Sequence, residues 1–336
     1  MYISIRDFLV RNLKKYPRVW YFLEVLQGLT FRIGYLYYYK TGAGGKKSSI
    51  REINLQFSNT CNLNCEFCTL KSGGHSEFMS EETLEKFLKN LLEDRRFETV
   101  DVLNLYNGGE TLLHPGFAKM LGLIRKYKDL AEAGGKRFPA VVLLTNGMLL
   151  TETLTREILA SGVVDSMRFS MDGGTPEAFE RMRKPARWPV FYRNVKYFIE
   201  QNRLAGGKIK TGAITLLPDK PLETGWMHPQ FAEILNALDG YDLRRPHAWG
   251  GALKKVQMRG RPHKIGCNML LSQLVLFPGG GVSVCCVDIN GECIIGNIHK
   301  QDLFSIYRSA ARLKMLEALD KGRKDTIDFC RNCETH

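Results

Sequence analysis

Three cysteines, Cys61, Cys65 and Cys68, stand within the stretch TCNLNCEFC at a C-x3-C-x2-C spacing. Thiolates are soft ligands that select iron–sulfur clusters and zinc. Three of them on one short loop can hold three irons of a 4Fe-4S cube, and the fourth iron then has no protein ligand nearby. Such an open iron can chelate a small molecule. Zinc sites more often pair their thiols as C-x2-C with a distant second pair, so this triple favours the cluster. A second group, Cys267, Cys285, Cys286, Cys293, Cys330 and Cys333, lies toward the C-terminus.

The elements that must position these thiols are legible from periodicity. Ile53, Leu55 and Phe57 alternate with polar residues directly before the first triple, the pattern of a short strand over 53–58. Further strands are expected over 99–107, 140–145, 164–172, 209–217 and near residue 241, with helices over 116–130, 151–161 and 191–202 between them. Repeated βα units imply a parallel sheet with helices outside. In such folds the active residues sit where strands end and loops begin. The unusual residues fall there. The second strand runs into Asn107, Gly108, Gly109 and Glu110, where two glycines let the backbone pass close to a ligand. In the fourth, Arg168, Ser170 and Asp172 alternate with Met167, Phe169 and Met171, so one polar side faces something other than the apolar core. The third ends at Thr145, Asn146 and Gly147, where an Asn-Gly turn is an adequate account.

Taken together, C-x3-C-x-aromatic-C after a strand, Gly108-Gly109-Glu110 about forty residues on, and the run SMDGGTPEAFERMR resemble the radical S-adenosylmethionine (SAM) superfamily. The resemblance implies an α/β fold, a partial (βα)6 TIM-like barrel. It implies that the unique iron binds the amino and carboxylate groups of SAM, and that one electron cleaves SAM to methionine and a 5'-deoxyadenosyl radical. Residue by residue, it places Phe67 against the adenine, Asn107 and the Gly-Gly-Glu segment on the SAM amino group, and Ser170 and Arg183 on the ribose and carboxylate. Arginine suits a carboxylate because its planar fork makes two bonds, although Arg181 is close enough to compete. An external one-electron donor such as flavodoxin or ferredoxin is implied as a partner.

The C-terminal residues 261–336 read as a small α+β unit, a hairpin over 270–277 and 282–287 followed by a helix over 302–319. So little apolar interior calls for a metal staple. Cys267, the Gly-x4-Cys step from Gly280 to Cys285, the CCVD segment and Cys330-x2-Cys333 resemble the SPASM/twitch extension of the same superfamily. That implies a second, auxiliary 4Fe-4S cluster on Cys267, Cys285, Cys330 and Cys333, with Cys286 an alternative to Cys285. A four-thiol zinc site is the other reading of this ligand set. Cys286 and Cys293 remain over, either as small buried residues or as catalytic thiols that return a hydrogen atom to a substrate radical.

Nine cysteines in 336 residues are too few for a secreted disulfide scaffold, and their clustering points to metal in a reducing cytoplasm. Residues 1–49 form a basic, aromatic, helical extension before a barrel over 50–260. The first 50 residues carry nine Lys or Arg against Asp7 and Glu24, a net +7 of the chain's +13. Ser4 with Asp7 looks like the start of a helix that Pro17 ends, and Trp20 to Tyr39 mixes rings with charge. Basic residues beside Trp and Tyr suit an interfacial membrane helix, so contact with the inner membrane surface through residues 1–40 is expected. No nucleic-acid-binding motif accompanies the charge, and nucleic acid is not expected as a partner. The reaction expected is hydrogen abstraction from a polyol, sugar or lipid-linked small molecule, ending in oxidation or epimerisation. The alternatives are a peptide-modifying maturase and a non-catalytic metal protein that docks on a membrane or an acidic partner.

Overall fold

In the computed structural model, residues 17–41, 43–70, 76–246 and 266–333 are described. The chain divides into two compact units, Met1–Ser49 and Ile50–His336.

In the first unit, helix α1 (Pro17–Tyr35) begins at Pro17. A proline at the first helical position loses no hydrogen bond and has the right φ. The helix expected from Ser4, with its end before Pro17, lies outside the described residues. Along α1, Val19, Phe22, Leu26, Leu29 and Ile33 are all more than 40% exposed.

The second unit is built on one nine-stranded sheet, ordered β6-β5-β4-β3-β2-β1-β7-β8-β9. The first six strands are β1 (Glu52–Leu55), β2 (Val102–Asn104), β3 (Ala140–Thr145), β4 (Ser166–Ser170), β5 (Lys210–Leu216) and β6 (Gly240–Arg244), and each pairs parallel with the next. Strictly sequential parallel order is what a barrel winding in one direction produces, whereas a doubly wound sheet reverses. This is the partial TIM-like barrel of six strands. Helices α2 (Glu81–Glu93), α3 (Phe117–Ala133), α4 (Glu152–Ser161), α5 (Pro176–Met182), α6 (Trp188–Leu204) and α7 (Pro229–Ala237) connect the strands. Ser80, Thr151 and Thr175 cap α2, α4 and α5 through their hydroxyls. The core lies between helices and sheet: Met167 and Phe169 of β4 are fully buried, and Trp188 stacks on Phe231 with ring centroids 4.2 Å apart.

The C-terminal region continues the same sheet. Helix α8 (Asn268–Ser272) leads into β7 (Gln273–Leu276), which pairs parallel with β1, and β8 (Gly281–Ser283) and β9 (Ile294–Asn297) follow antiparallel. The expected hairpin is therefore a three-stranded meander. The expected helix over 302–319 is two, α9 (Leu303–Tyr307) and α10 (Ala310–Asp320), because the Ser309 hydroxyl accepts from the Arg312 amide and starts a new helix.

Candidate functional site

The first cysteine loop follows β1 and is pinned from two sides. The Asn64 and Glu66 amides donate to the carbonyls of Lys184 and Met182, at 2.6 and 3.1 Å, which brings the residue between those carbonyls, Arg183, against the loop. Arg183 Nε donates to Asp172 Oδ2 at 2.6 Å, and Nη1 lies 3.9 Å from the sulfur of Cys65. Its guanidinium also sits 5.3 Å from the ring of Phe67. Asp172 is fully buried, and its other oxygen accepts the amide of Leu216 on β5. A buried arginine fixed by a buried aspartate cannot swing away, so one cation is held beside the thiols.

The Gly-Gly-Glu segment meets the same loop from β2. A Cβ on Gly109 would stand 2.3 Å from the Ser58 carbonyl oxygen, and its φ of +73° is one that glycine alone adopts at little cost. That approach lets the Glu110 amide donate to Thr60 O at 2.8 Å. The Glu110 carboxylate accepts from the Leu112 amide (3.1 Å), the Thr145 hydroxyl (2.8 Å) and the Asn146 amide (2.8 Å). Burial raises its pKa, and these three donors oppose the rise. Glu110 thus ties the end of β2 to the end of β3. There Asn146 Nδ2 donates to Asn62 Oδ1 at 2.8 Å and lies 3.8 Å from Cys61 Sγ. Asn146 is the residue that sequence reasoning passed over, because an Asn-Gly pair at a strand end is adequately explained as a turn.

Burial pushes the Cys61 thiol up to about 11 and Cys65 up to about 12, with Arg183 opposing both shifts. Such thiols stay protonated until a cationic core displaces the proton. Cys68 is exposed. The donor set of three thiols on one loop, one open to solvent, with polar groups rather than a fourth thiol around them, fits a cubane with one iron left for SAM.

Cys267, Cys285, Cys330 and Cys333 line one cavity with Leu270, Val284, Val287, Met315, Leu319 and Phe329. The four expected ligands are thus brought together from three separate segments. Among the described residues no group of three His, Cys, Asp or Glu is arranged to hold a single metal ion. Burial raises Cys267, and it pushes Cys330 up to about 12.

The two remaining thiols part company. Cys293 donates its amide to Asp288 Oδ2 at 2.8 Å, and its sulfur lies 3.8 Å from Met315 on the wall of the four-thiol cavity. Cys286 interacts most strongly with the adjacent Cys285, whose thiol hydrogen-bonds it and holds its pKa down; its sulfur is 4.0 Å from Met269, and Glu52 on β1 and Arg244 on β6 also act on it. The loop that carries it is fastened to the barrel rim: Gln56 Nε2 donates to Ile289 O at 3.4 Å and Asn107 Nδ2 to Asp288 O at 3.2 Å. Gly108 is required there, since its Cβ would lie 2.9 Å from that Ile289 oxygen.

Inside the barrel, Asn54 and Gln56 of the β1 segment, Asn104 and Tyr106 after β2, and Arg168 and Ser170 of β4 share the face opposite the buried core. Asn104 and Asn107 are bonded to Asn54 at 2.7 and 3.3 Å. Burial pushes the Tyr106 phenol up to about 12; Arg168 and Arg244 oppose the rise, while Glu52 and Cys286 add to it.

A partial barrel of sequential parallel strands, with a three-thiol loop at its carboxyl rim and a four-thiol cavity beside β7, defines a class of enzyme. The radical SAM superfamily model matches residues 55–228, and the SPASM model, an iron–sulfur cluster-binding domain, matches residues 267–334. The chain belongs to the radical SAM superfamily, and its cofactors are SAM, a 4Fe-4S cluster and auxiliary iron–sulfur in the C-terminal region. BtrN, solved in complex with AdoMet and 2-DOIA, is similar at a TM-score of 0.58 and 16% identity, over 86% of this chain and 94% of that one. SuiB of Streptococcus suis, solved bound to the precursor peptide SuiA, gives a TM-score of 0.64 at 13% identity, over 99% of this chain and 84% of that one. At these identities the likeness is one of fold. The tungsten-containing aldehyde ferredoxin oxidoreductase cofactor-modifying protein of Pyrococcus furiosus is 31% identical over 123 residues, 37% of this chain. The match spans 31% of that protein's length.

Proposed function

We propose that this enzyme abstracts a hydrogen atom from a C–H bond of a polyol, sugar or lipid-linked small molecule held in the barrel lumen, and that the outcome is oxidation or epimerisation. When bound, the cluster and SAM supply the 5'-deoxyadenosyl radical. The observation that carries the reading is the lumen itself: polar side chains of β1, β2 and β4 share the inward face beneath the three-thiol rim.

In this reading Cys61, Cys65 and Cys68 hold the first cluster, and Cys267, Cys285, Cys330 and Cys333 the second. Gly109 lets the rim loops approach, and Glu110 and Asn146 keep them in register. Asn107, Gly108, Ser170, Arg183 and Phe67 line the SAM side. Cys286, on the loop docked on the barrel rim, is the thiol assigned to hand a hydrogen atom to the substrate, which would give epimerisation. Cys267, Cys285, Cys330 and Cys333 would hold a cluster able to accept an electron, which would give oxidation. Electrons arrive from an external donor such as flavodoxin or ferredoxin. The exposed apolar stripe of α1, with Arg18 and Lys40 at its ends, suits contact with an anionic membrane surface where a lipid-linked substrate would reside. No described helix is long and apolar enough to cross a membrane.

The likeness to SuiB over 99% of this chain favours a second reading, a peptide as substrate. The first test is anaerobic reconstitution followed by SAM and dithionite. Formation of 5'-deoxyadenosine, lost in a Cys65→Ser variant, supports the radical reading, and its absence from a fully iron-loaded protein overturns it. Challenging the active enzyme with polyols and sugars against short peptides, and following substrate-dependent 5'-deoxyadenosine, separates the two substrate classes.

A further inference from the structure

Two arginines facing the barrel interior are paired within the chain, Arg183 with Asp172 and Arg244 with Asp242 at 2.5 Å, while Glu52 accepts from the neutral Gln273 amide at 2.8 Å. Arg168 is the exception. Among the described residues it has no hydrogen bond and no ion pair, and the nearby charged or titratable group it influences is Tyr106, a neutral phenol. The stretch 247–265 contains no Asp or Glu that could serve it.

Arg168 is in register with Gly212 of β5, and Gly212 with Gly240 of β6. These two positions carry no side chain at the level of Arg168; a Cβ on Gly212 would stand 3.3 Å from the Gly240 carbonyl oxygen and 3.9 Å from the Arg168 stem. Tyr106 is in electrostatic reach of both Arg168 and Cys286. A guanidinium that is half-buried and has no counter-charge among the described residues calls for an anion, and its planar fork matches an oxyanion with two parallel bonds.

We propose that Arg168 is a specificity-determining residue that anchors an oxyanion of the substrate, a carboxylate or a phosphate, over the Gly212–Gly240 strip. This rests on the lumen being the substrate site. The enzyme's substrate is then an acidic molecule, and the anchored end fixes which of its C–H bonds lies between the SAM side of the barrel and Cys286. Neutral polyols and sugars without an acid group are poor ligands.

Binding is measured on the full chain, reconstituted anaerobically and saturated with SAM but without reductant, so that no SAM cleavage is needed. Ligand-observed NMR titrations use methyl phosphate, acetate and, as the neutral probe, glycerol. At least one anion is expected to bind saturably and glycerol not; which anion binds names the group. Arg168→Met is expected to weaken that anion tenfold or more, and Arg168→Lys to keep most of it. A folded wild-type protein that binds neither anion, or an Arg168→Met variant that binds as well as wild type, overturns the proposal. So does a tenfold loss of SAM affinity in Arg168→Met with anion binding intact, because the guanidinium would then serve the carboxylate of SAM. If the methionine variant does not fold, Arg168→Gln against Arg168→Lys decides by the same criterion. Arg168-dependent anion binding in an enzyme that never forms 5'-deoxyadenosine would sink the radical reading and leave the anion site standing.

Discussion

The two thiol sites of this chain differ in what closes them. The first draws its thiols from one loop, leaves Cys68 exposed, and is bordered by Arg183, Asn146 and the Glu110 segment. The second gathers four thiols from three segments and walls them with Leu270, Val284, Met315 and Phe329. Three sulfurs with polar neighbours leave a coordination position and the means to orient what fills it. Four sulfurs in a largely apolar cavity, with Lys324 its charged lining residue, would leave none, which suits electron transfer or a structural staple. Ligand number and the polarity of the wall are where the two sites differ.

That contrast breaks most sharply at its ligands. Cys65→Ser is expected to lower bound iron by about four per chain and to bring 5'-deoxyadenosine formation to background, read by iron assay and mass spectrometry. Cys330→Ser is expected to cost the same iron while 5'-deoxyadenosine still forms, with the melting temperature falling by several degrees. Equal loss of SAM cleavage in both variants would mean that the two sites are not separable in role. Next in size is the cation held at the first site. Asp172→Ala leaves Arg183 buried without its partner and should destabilise the fold by about 3–5 kcal/mol, measured by urea denaturation; a change near zero would show that Arg183 is free to reach solvent. Smallest is Gly109→Ala, where a left-handed φ and the Ser58 carbonyl together predict about 1–3 kcal/mol. Its effect on SAM binding should exceed that on stability, because the Glu110–Thr60 bond depends on the same approach.

Much of the barrel was legible because strand alternation and helix periodicity are local. The third strand matches residue for residue at 140–145, and the buried Met167 and Phe169 opposite Arg168 follow from the two-residue period alone. Where the reading missed, the cause was non-local or hidden in short segments. Helix α7 is not in the sequence reading because the Pro, Gly and Trp content of residues 217–260 reads as loop; Phe231, Ile234 and Leu235 bury one side of it, and the His228 ring starts it by accepting from the Gln230 amide. Strand β9 spans only Ile294–Asn297 and exists because β8 offers it an edge.

The candidate site divides in the same way. Residue type and spacing were enough to point to iron, to SAM and to a four-thiol auxiliary centre, because coordination chemistry depends on which atoms are offered and how close together in the chain they lie. They did not distinguish Cys286 from Cys293, give Asn146 a task, or show that Glu110 binds the end of β3. Those assignments depend on side chains that meet across strands far apart in the sequence. Which sulfur lies against Met269 and which against Met315, and which arginine has no ion pair among the described residues, follows from the register of the sheet and from the loop of residues 285–293 docked on its rim. Only the tertiary structure decides these, since no local pattern records what lies across a barrel.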